Sequence, residues 1–220
     1  MADEIPDLLD SSTIPVAEGA TWLPGWLAPH QQRWLADQFR AWAAGPVPAS
    51  SPLIHGNRMS TRMVCLGWHW TASGYRRDAS DVNGRRVLPV PEWAVRLGQA
   101  AVAAARGTPA PDYHPDVILA NYYSADARMG MHQDKDEHAH AAVVSISIGD
   151  TCTFRFGNTR TRARPYADIP LASGDAFVFE GPARLAYHGV TRIHAGTAPP
   201  GCGLDAGRLS MTLRMTGLPG

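Results

Sequence analysis

The chain has 220 residues, with 20 basic residues (Lys and Arg) balanced by 20 acidic ones, so its formal net charge at neutral pH is zero. No global field therefore draws it to nucleic acid or to a membrane surface, and any polyanion binding must come from a local basic patch. Hydrophobic residues make up 45% of the chain, which is enough for a sizeable core. One globular domain is expected.

The cysteine pattern and the termini give expectations about location. Cys65, Cys152 and Cys202 are widely spaced and contain no C-x-x-C pair, as is typical of reduced intracellular thiols. The N-terminus lacks the basic and apolar regions of a secretory signal, and no stretch approaches the roughly 18 apolar residues of a membrane span. We expect a soluble, cytoplasmic monomer that does not contact a membrane.

Two helices are predicted in the N-terminal half. Residues 1–14 are acidic and polar and are predicted to be a flexible tail. Bulky apolar side chains recur at helical spacing from Ala28 to Ala44, which predicts the first helix. The second helix is predicted from Pro91 to Gly107, because proline starts this segment and glycine ends it. Between them, residues 58–75 have an extended pattern.

The pattern changes after Pro115, where eight short β-rich runs follow one another. Turn residues separate these runs at intervals of roughly ten residues, which is typical of an antiparallel sandwich or barrel. The runs are VILANYY, RMGMHQD, AVVSISIG, CTFRFG, DIPLA, DAFVFEG, RLAYHGV and RLSMTLRMTG. The predicted fold class is α+β, with N-terminal helices packed on a jelly-roll (double-stranded β-helix) core that spans residues 116–220.

One of these runs contains a possible pair of metal ligands. In an extended segment, residues i and i+2 project from the same face, so His132 and Asp134 point together. Two histidines and one carboxylate on one octahedral face suit ferrous iron and leave positions open for substrates. An H-x-D pair alone is not specific, and a second histidine is needed. The candidates are His188, His194, His138 and His140. The last two form an H-x-H pair, which leaves a cupin-like site as an alternative.

Several segments together resemble the AlkB family of iron(II)- and 2-oxoglutarate-dependent dioxygenases. They are NYYSADARMGMHQDKDE, VVSISIG, FRFG, SGDAFVFEGPARLAYHGV and GRLSMTLR, in the family's order from Val117 to Gly217. LGWHWTASGY extends the resemblance more weakly into the N-terminal half. The combination of N-x-Y, H-x-D-K-D-E, a distal histidine and two arginines six residues apart is far more specific than any one piece.

The resemblance implies a set of iron ligands and a set of contacts to 2-oxoglutarate. His132, Asp134 and His188 fall on the iron ligands, and no further catalytic side chain is implied. The implied 2-oxoglutarate contacts are Asn121, Tyr123, Arg208, Ser210 and Arg214. Forked cationic donors suit a dicarboxylate in a closed pocket. The chain has Ser210 where the family often has asparagine, which leaves that hydrogen bond shortened or passed to water.

The resemblance also implies a substrate lid within residues 15–115 and contacts to a nucleobase. Trp68 and Tyr75 fall on the lid, where an aromatic side chain covers the base, and Asp136 falls on a carboxylate that faces an exocyclic amine. Core packing remains an alternative for Trp68. A further implied contact is Arg162 or Arg160 of a basic loop that could instead simply be solvated, and Arg76 and Arg77 could add to the same basic patch. These arginines would bind the phosphates of a nucleic-acid strand.

The implied activity is oxidative demethylation of alkylated bases such as N1-methyladenine and N3-methylcytosine in DNA or RNA, as in DNA repair. Fe(II), 2-oxoglutarate and O2 would be required, and formaldehyde, succinate and CO2 released. The first alternative keeps the iron and 2-oxoglutarate but hydroxylates a small molecule or a protein side chain. The second is a module that binds alkylated bases without using a metal.

Overall fold

The computed structural model describes residues 12–54 and 56–219, and most of its regular structure is antiparallel β-sheet. The predicted tail lies largely outside the described residues, and Ile14 already begins the first strand. The N-terminal half contains β1 (Ile14–Ala17), β2 (Ala20–Leu23), α1 (Pro29–Ala43), β3 (Leu53–Ile54), β4 (Asn57–Arg58), β5 (Arg62–Leu66), β6 (His69–Thr71), β7 (Gly74–Arg76) and α2 (Glu92–Arg106).

The eight predicted β-rich runs each form one strand. They are β8 (Val117–Tyr123), β9 (Met129–His132), β10 (Val143–Gly149), β11 (Cys152–Phe156), β12 (Ala167–Leu171), β13 (Ala176–Phe179), β14 (His188–Ile193) and β15 (Arg208–Arg214). A short 3-10 helix, Gly181–Ala183, lies between β13 and β14. The predicted extended character of residues 58–75 is likewise confirmed by β5, β6 and β7.

Two sheets form the jelly roll. The large sheet has seven strands in the order β1-β2-β13-β10-β15-β8-β5, and the small one has four in the order β12-β11-β14-β9. The predicted jelly-roll core is therefore confirmed. Three strands of the large sheet, β1, β2 and β5, come from residues before 116, so the two predicted parts of the chain share one sheet.

The two predicted helices are confirmed and cover the outer face of the large sheet. Glycine suits the end of α2 because Gly107 has a φ of 71°, a left-handed conformation that side chains disfavour. Apolar side chains of both helices pack in one cluster with those of the sheet, among them Leu35, Phe39 and Leu97. Within the described residues, neither helix is long and apolar enough to cross a membrane.

The alternation along β10 separates this outer core from the interior of the jelly roll. Val144, Ile146 and Ile148 belong to the cluster under the helices. Ser145 and Ser147 project to the opposite face and are also buried. The outer face of β10 therefore packs in the apolar core under the helices, whereas its inner face is polar. The candidate site is on that inner side.

Candidate metal centre and its two cavities

Strand pairing brings the two candidate histidines together. In the small sheet, β9 runs antiparallel to β14, and His132 lies directly opposite His188. Asp134 follows β9 by two residues. Its carboxylate oxygens lie 3.5 Å from Nε2 of each histidine, one oxygen to each ring. All three ligand atoms fall within 4.8 Å of one another. Donors about 2 Å from an ion have comparable spacings, so a small inward movement suffices for coordination.

Both histidines are held in the tautomer that a metal requires. Nδ1 of His132 lies 2.9 Å from the carbonyl oxygen of Gly130, and Nδ1 of His188 lies 2.9 Å from that of Ala186. Because a carbonyl can only accept, each Nδ1 carries a proton, so Nε2 is the atom with the free lone pair whenever the ring is neutral. Burial lowers the pKa of His188, which favours its neutral form.

The Asp134 carboxylate is buried and ionised. Burial opposes its ionisation, but the Arg214 guanidinium and the two histidines outweigh burial and hold its pKa well below the usual range. Arg214 NH2 lies 2.9 Å from Asp134 Oδ2. That oxygen nevertheless lacks a partner with hydrogen-bond geometry. A buried carboxylate oxygen of this kind is suited to a cation.

An inner cavity extends from these ligands into the jelly roll, and a buried arginine lies in its wall. Arg208 is only 1% exposed and donates through NH2 to Ser147 Oγ at 2.9 Å. Its Nε and NH1 have no hydrogen-bond partner. A buried guanidinium with two unsatisfied donors is unfavourable unless an anion binds it. The inner cavity is therefore suited to a carboxylate.

An outer cavity of about 390 Å³ opens on the other side of the ligands. Its walls include Trp70 and Ala72 from the β6–β7 hairpin and three methionines, Met59, Met63 and Met129. The two cavities share the side chains of Asn121, Met129, His132, Asp134 and Arg214. The candidate metal centre thus lies where a polar inner cavity meets a larger, partly apolar one.

Comparison with known proteins identifies the family. Residues 19–214 match the 2OG-Fe(II) oxygenase superfamily. The Alpha-ketoglutarate-dependent dioxygenase AlkB homolog of Caulobacter vibrioides is 38% identical over 213 residues, which cover 91% of this chain and 89% of that protein. The chain belongs to the AlkB family. AlkB of Escherichia coli K12 is 36% identical over 167 residues, covering 74% of each chain. The solved structure of OsALKBH1 has a TM-score of 0.82 at 29% identity and covers 93% of this chain and all of that one.

A member of the AlkB family is an Fe(II)- and 2-oxoglutarate-dependent dioxygenase, and the residues present fit both groups. His132, Asp134 and His188 offer the two nitrogens and one oxygen that suit iron with open positions. The unsatisfied Arg208 nitrogens suit the distal carboxylate of 2-oxoglutarate. The alternative ligands do not join this group, because His138 and His140 are exposed, while Nε2 of His194 lies 2.8 Å from Thr153 Oγ1.

The other predicted 2-oxoglutarate contacts also line the inner cavity. They are Asn121, Tyr123, Ser210 and Arg214. Burial raises the pKa of Tyr123 to about 12, so its hydroxyl stays neutral at physiological pH. Ser210 Oγ lies 3.3 Å from Ser145 Oγ and thus already has a partner across the sheet. Arg214 contacts Asp134 and Glu137, and its Nε remains unpartnered.

Trp68, predicted as a substrate contact, lies in the core and not in the outer cavity. It is buried, and its Nε1 is 3.3 Å from a carboxylate oxygen of Asp116. The guanidinium of Arg77, another predicted contact, stacks 3.5 Å from its ring centre and donates to the carbonyl of Gly67. Trp70 lines the cavity instead, because the chain turns at Gly67, where φ is 75°.

The remaining predicted substrate residues differ in whether they line the outer cavity. Asp136 lines it and accepts a 2.7 Å hydrogen bond from Trp70 Nε1. Tyr75 donates its hydroxyl to Glu137 and does not line the cavity. Arg76 is exposed and donates to Ser73, whereas Arg160 and Arg162 are exposed on the loop after β11. Gln133 connects that loop to the metal centre, because its side chain donates to the carbonyl oxygen of Thr159.

Sequence reasoning missed the buried residues that surround Asp134. No pattern in the sequence indicated that Arg184 and Glu137 are buried, although the Glu137 side chain is fully buried. The available signal was position, since Arg184 precedes His188 by four residues and Glu137 follows Asp134 by three.

Proposed function

We propose that this dioxygenase oxidatively demethylates alkylated nucleobases, such as N1-methyladenine and N3-methylcytosine, in DNA or RNA. The observation that best supports this function is the position of the candidate metal centre. It lies between the inner cavity, which contains the unsatisfied Arg208, and an outer cavity of about 390 Å³. A volume of this size is in the range of small-ligand pockets, which begins at about 300 Å³. An extruded base fits this description better than a folded protein does.

The relatives support a nucleic-acid substrate. The DNA N(6)-methyladenine demethylase ALKBH1D of Arabidopsis thaliana is 32% identical over 179 residues, which cover 72% of this chain and 40% of that protein. The nucleic acid dioxygenase ALKBH1 of Homo sapiens is 31% identical over 133 residues. Both relatives are named for activity on nucleic acid, which agrees with the chemistry of the outer cavity.

The protein's contribution to this reaction is binding and orientation. When bound, iron and 2-oxoglutarate would allow O2 to oxidise the N-methyl group. The methyl carbon would then leave as formaldehyde, and the unmodified base would be restored. His132, Asp134 and His188 hold the metal, and Arg208 anchors the distal carboxylate of 2-oxoglutarate. The walls of the outer cavity orient the methyl group toward the metal and limit access of water.

Trp70 and Asp136 are proposed to recognise the base. The Trp70 indole and His132 both line the outer cavity, so a flat base can stack between them. Asp136 adds negative charge at the same wall, which favours bases that N-methylation has made cationic. The hairpins β3–β4 and β6–β7 form the proposed lid, since Ile54, Trp70 and Ala72 line this cavity.

Replacing Trp70 with alanine is expected to raise the KM for a methylated oligonucleotide. Stacking of a base on an aromatic ring contributes about 1–3 kcal/mol, so the expected increase is about 5- to 150-fold. Trp68→Phe is the matched control, because it removes one hydrogen bond from the core and lowers the unfolding temperature without changing KM. Steady-state kinetics and thermal unfolding of both variants measure this, and a larger KM effect for Trp68 would contradict the assignment of Trp70.

The proposal is tested by incubating the protein with iron, 2-oxoglutarate, O2 and matched methylated DNA and RNA oligonucleotides. Mass spectrometry is expected to show loss of the methyl group. Arg160, Arg162 and Arg164 are all exposed on the loop between β11 and β12. Replacing the three with glutamine is expected to weaken oligonucleotide binding and to reduce the salt dependence of that binding, while uncoupled 2-oxoglutarate decarboxylation is retained. No methyl loss from any oligonucleotide, with decarboxylation intact, would favour hydroxylation of a small molecule or a protein side chain.

We also propose that the protein acts as a cytoplasmic monomer. The three cysteines are free and buried, which agrees with a reducing compartment. Among the described residues, four large apolar side chains are exposed, Ile14, Trp34, Leu53 and Leu88, and so small a number agrees with a surface that is not an obligate interface. In the proposed domain organisation, residues 15–115 form the helices and the lid, and residues 116–220 form the catalytic jelly roll.

A further inference from the structure

Arg184 joins the two segments that carry the candidate metal ligands. It follows the 3-10 helix between β13 and β14, four residues before His188, and is only 3% exposed. Its NH1 donates to the main-chain carbonyl of Asp134 at 2.7 Å, and its Nε donates to that of Ala141, also at 2.7 Å. One rigid guanidinium therefore fixes the backbone of Asp134 relative to the segment that carries His188.

Glu137 connects this arginine to the second one. Arg184 NH2 donates to Glu137 Oε2 at 3.1 Å, and Arg214 NH1 donates to Glu137 Oε1 at 3.0 Å. The other terminal nitrogen of Arg214 lies 2.9 Å from Asp134 Oδ2. Glu137 thus separates two buried cations and orients the fork of Arg214 toward Asp134.

The charges of this network balance only when all four side chains are present. Asp134 and Glu137 carry two negative charges, and Arg184 and Arg214 carry two positive ones, all within a buried cluster. A missing member would leave an uncompensated buried charge next to a candidate ligand. Arg184 and Glu137 themselves do not line either cavity, so they have no contact with substrate or 2-oxoglutarate.

We propose that Arg184 and Glu137 are positioning residues that fix Asp134 for metal binding from its main-chain carbonyl on one side and from Arg214 on the other. The proposal rests on the proposed function, because it takes His132, Asp134 and His188 as the metal ligands. Residues that orient metal ligands change metal affinity or activity by about 10- to 100-fold when mutated. A positioning role therefore predicts an effect on the metal centre itself and not only on stability.

The test compares Arg184→Lys and Glu137→Gln with the wild-type protein, using Mn²⁺ as the probe in calorimetric titrations well below the unfolding temperatures. Each variant is expected to bind Mn²⁺ about tenfold or more weakly. Each is also expected to release less formaldehyde per succinate, because a displaced Asp134 misorients the oxidation. Lysine keeps the charge at position 184, but all its donors are on one nitrogen, so it cannot reproduce the planar fork that reaches the two carbonyls and Glu137. Arg106→Lys is the control, because it alters a partly exposed ion pair with Glu180 that includes none of the candidate ligands and no member of the buried network.

The outcomes separate this proposal from the function on which it rests. Failure of the wild-type protein to bind Mn²⁺ in a manner that depends on His132, Asp134 and His188 would remove the metal centre and both proposals with it. Wild-type binding together with unchanged Mn²⁺ affinity and product ratio in both variants would overturn only the positioning role. A lower unfolding temperature with those two quantities unchanged would likewise show that the pair acts in stability alone.

Discussion

Asp134→Asn is expected to abolish detectable Mn²⁺ binding and to reduce demethylation by about 10³-fold or more. The substitution keeps the shape of the side chain but removes the charge that faces both histidines and Arg214. A catalytic metal contributes several kcal/mol to transition-state stabilisation, and each 1.4 kcal/mol changes the rate about tenfold. Metal titration and single-turnover demethylation measure the two effects.

The same variant is expected to be less stable at neutral pH. The pKa of Asp134 is depressed in the folded protein, so its ionised form contributes stability above the unfolded-state pKa of about 4. That contribution is lost as pH falls through the folded-state pKa, and the neutral asparagine lacks it at any pH. Asp136→Asn is the control, because this exposed carboxylate is two residues away and is expected to leave Mn²⁺ affinity unchanged. Equal losses of affinity in both variants would contradict the assignment.

Arg208→Met is expected to weaken 2-oxoglutarate binding by about 10²- to 10³-fold while Mn²⁺ binding is retained. Removing one partner of a buried ion pair costs about 3–5 kcal/mol, and each 1.4 kcal/mol is tenfold in Kd. Without 2-oxoglutarate, Arg208 Nε and NH1 are buried without partners, so the substitution removes an unfavourable burial. The unfolding temperature of the protein without ligand is therefore expected to rise.

Thermal unfolding with and without 2-oxoglutarate checks both halves of this expectation. The wild-type protein gains stability from a ligand that binds only the folded state, and Arg208→Met is expected to lose that gain at the same concentration. Ser147→Ala is a milder control, because it removes one hydrogen bond to Arg208 and keeps the charge. A full 2-oxoglutarate shift in Arg208→Met would show that the distal carboxylate binds elsewhere.

The metal centre is the part of the site that the sequence predicted best. The i, i+2 rule put His132 and Asp134 on one face, and each of the eight strands from β8 to β15 has a distinct run in the sequence. Residue types alone left four candidate histidines, and only the family resemblance selected His188. The structure supplies the physical reason, since the antiparallel register places His188 opposite His132.

The substrate side was harder to predict because one glycine changes which aromatic side chain enters the cavity. Alternation gives the same face to Trp68 and Trp70 only if the strand continues through both. Gly67 directly follows β5 with a φ of 75°, and a Cβ there would lie 1.9 Å from the carbonyl oxygen of Asp116. The bend at this glycine separates β5 from β6, so Trp68 precedes β6 and packs in the core, whereas Trp70 is a residue of β6.

The buried network around Asp134 could not be predicted from local patterns. Glu137 and Arg184 are 47 residues apart, and both are charged residues in segments rich in turn signals. Charged residues are usually exposed, and their burial here depends on mutual pairing, which only the folded arrangement of β9, β14 and β15 creates.

The ratio of formaldehyde to succinate formed with an N1-methyladenine oligonucleotide shows whether oxidation at this metal centre is coupled to demethylation of the base. Nearly equal amounts of both products are expected for the wild-type protein, with neither detected for Asp134→Asn. The matched unmethylated oligonucleotide is expected to give no formaldehyde. Succinate formation that does not change with methylation, without formaldehyde, would contradict the claim that this metal centre demethylates nucleobases.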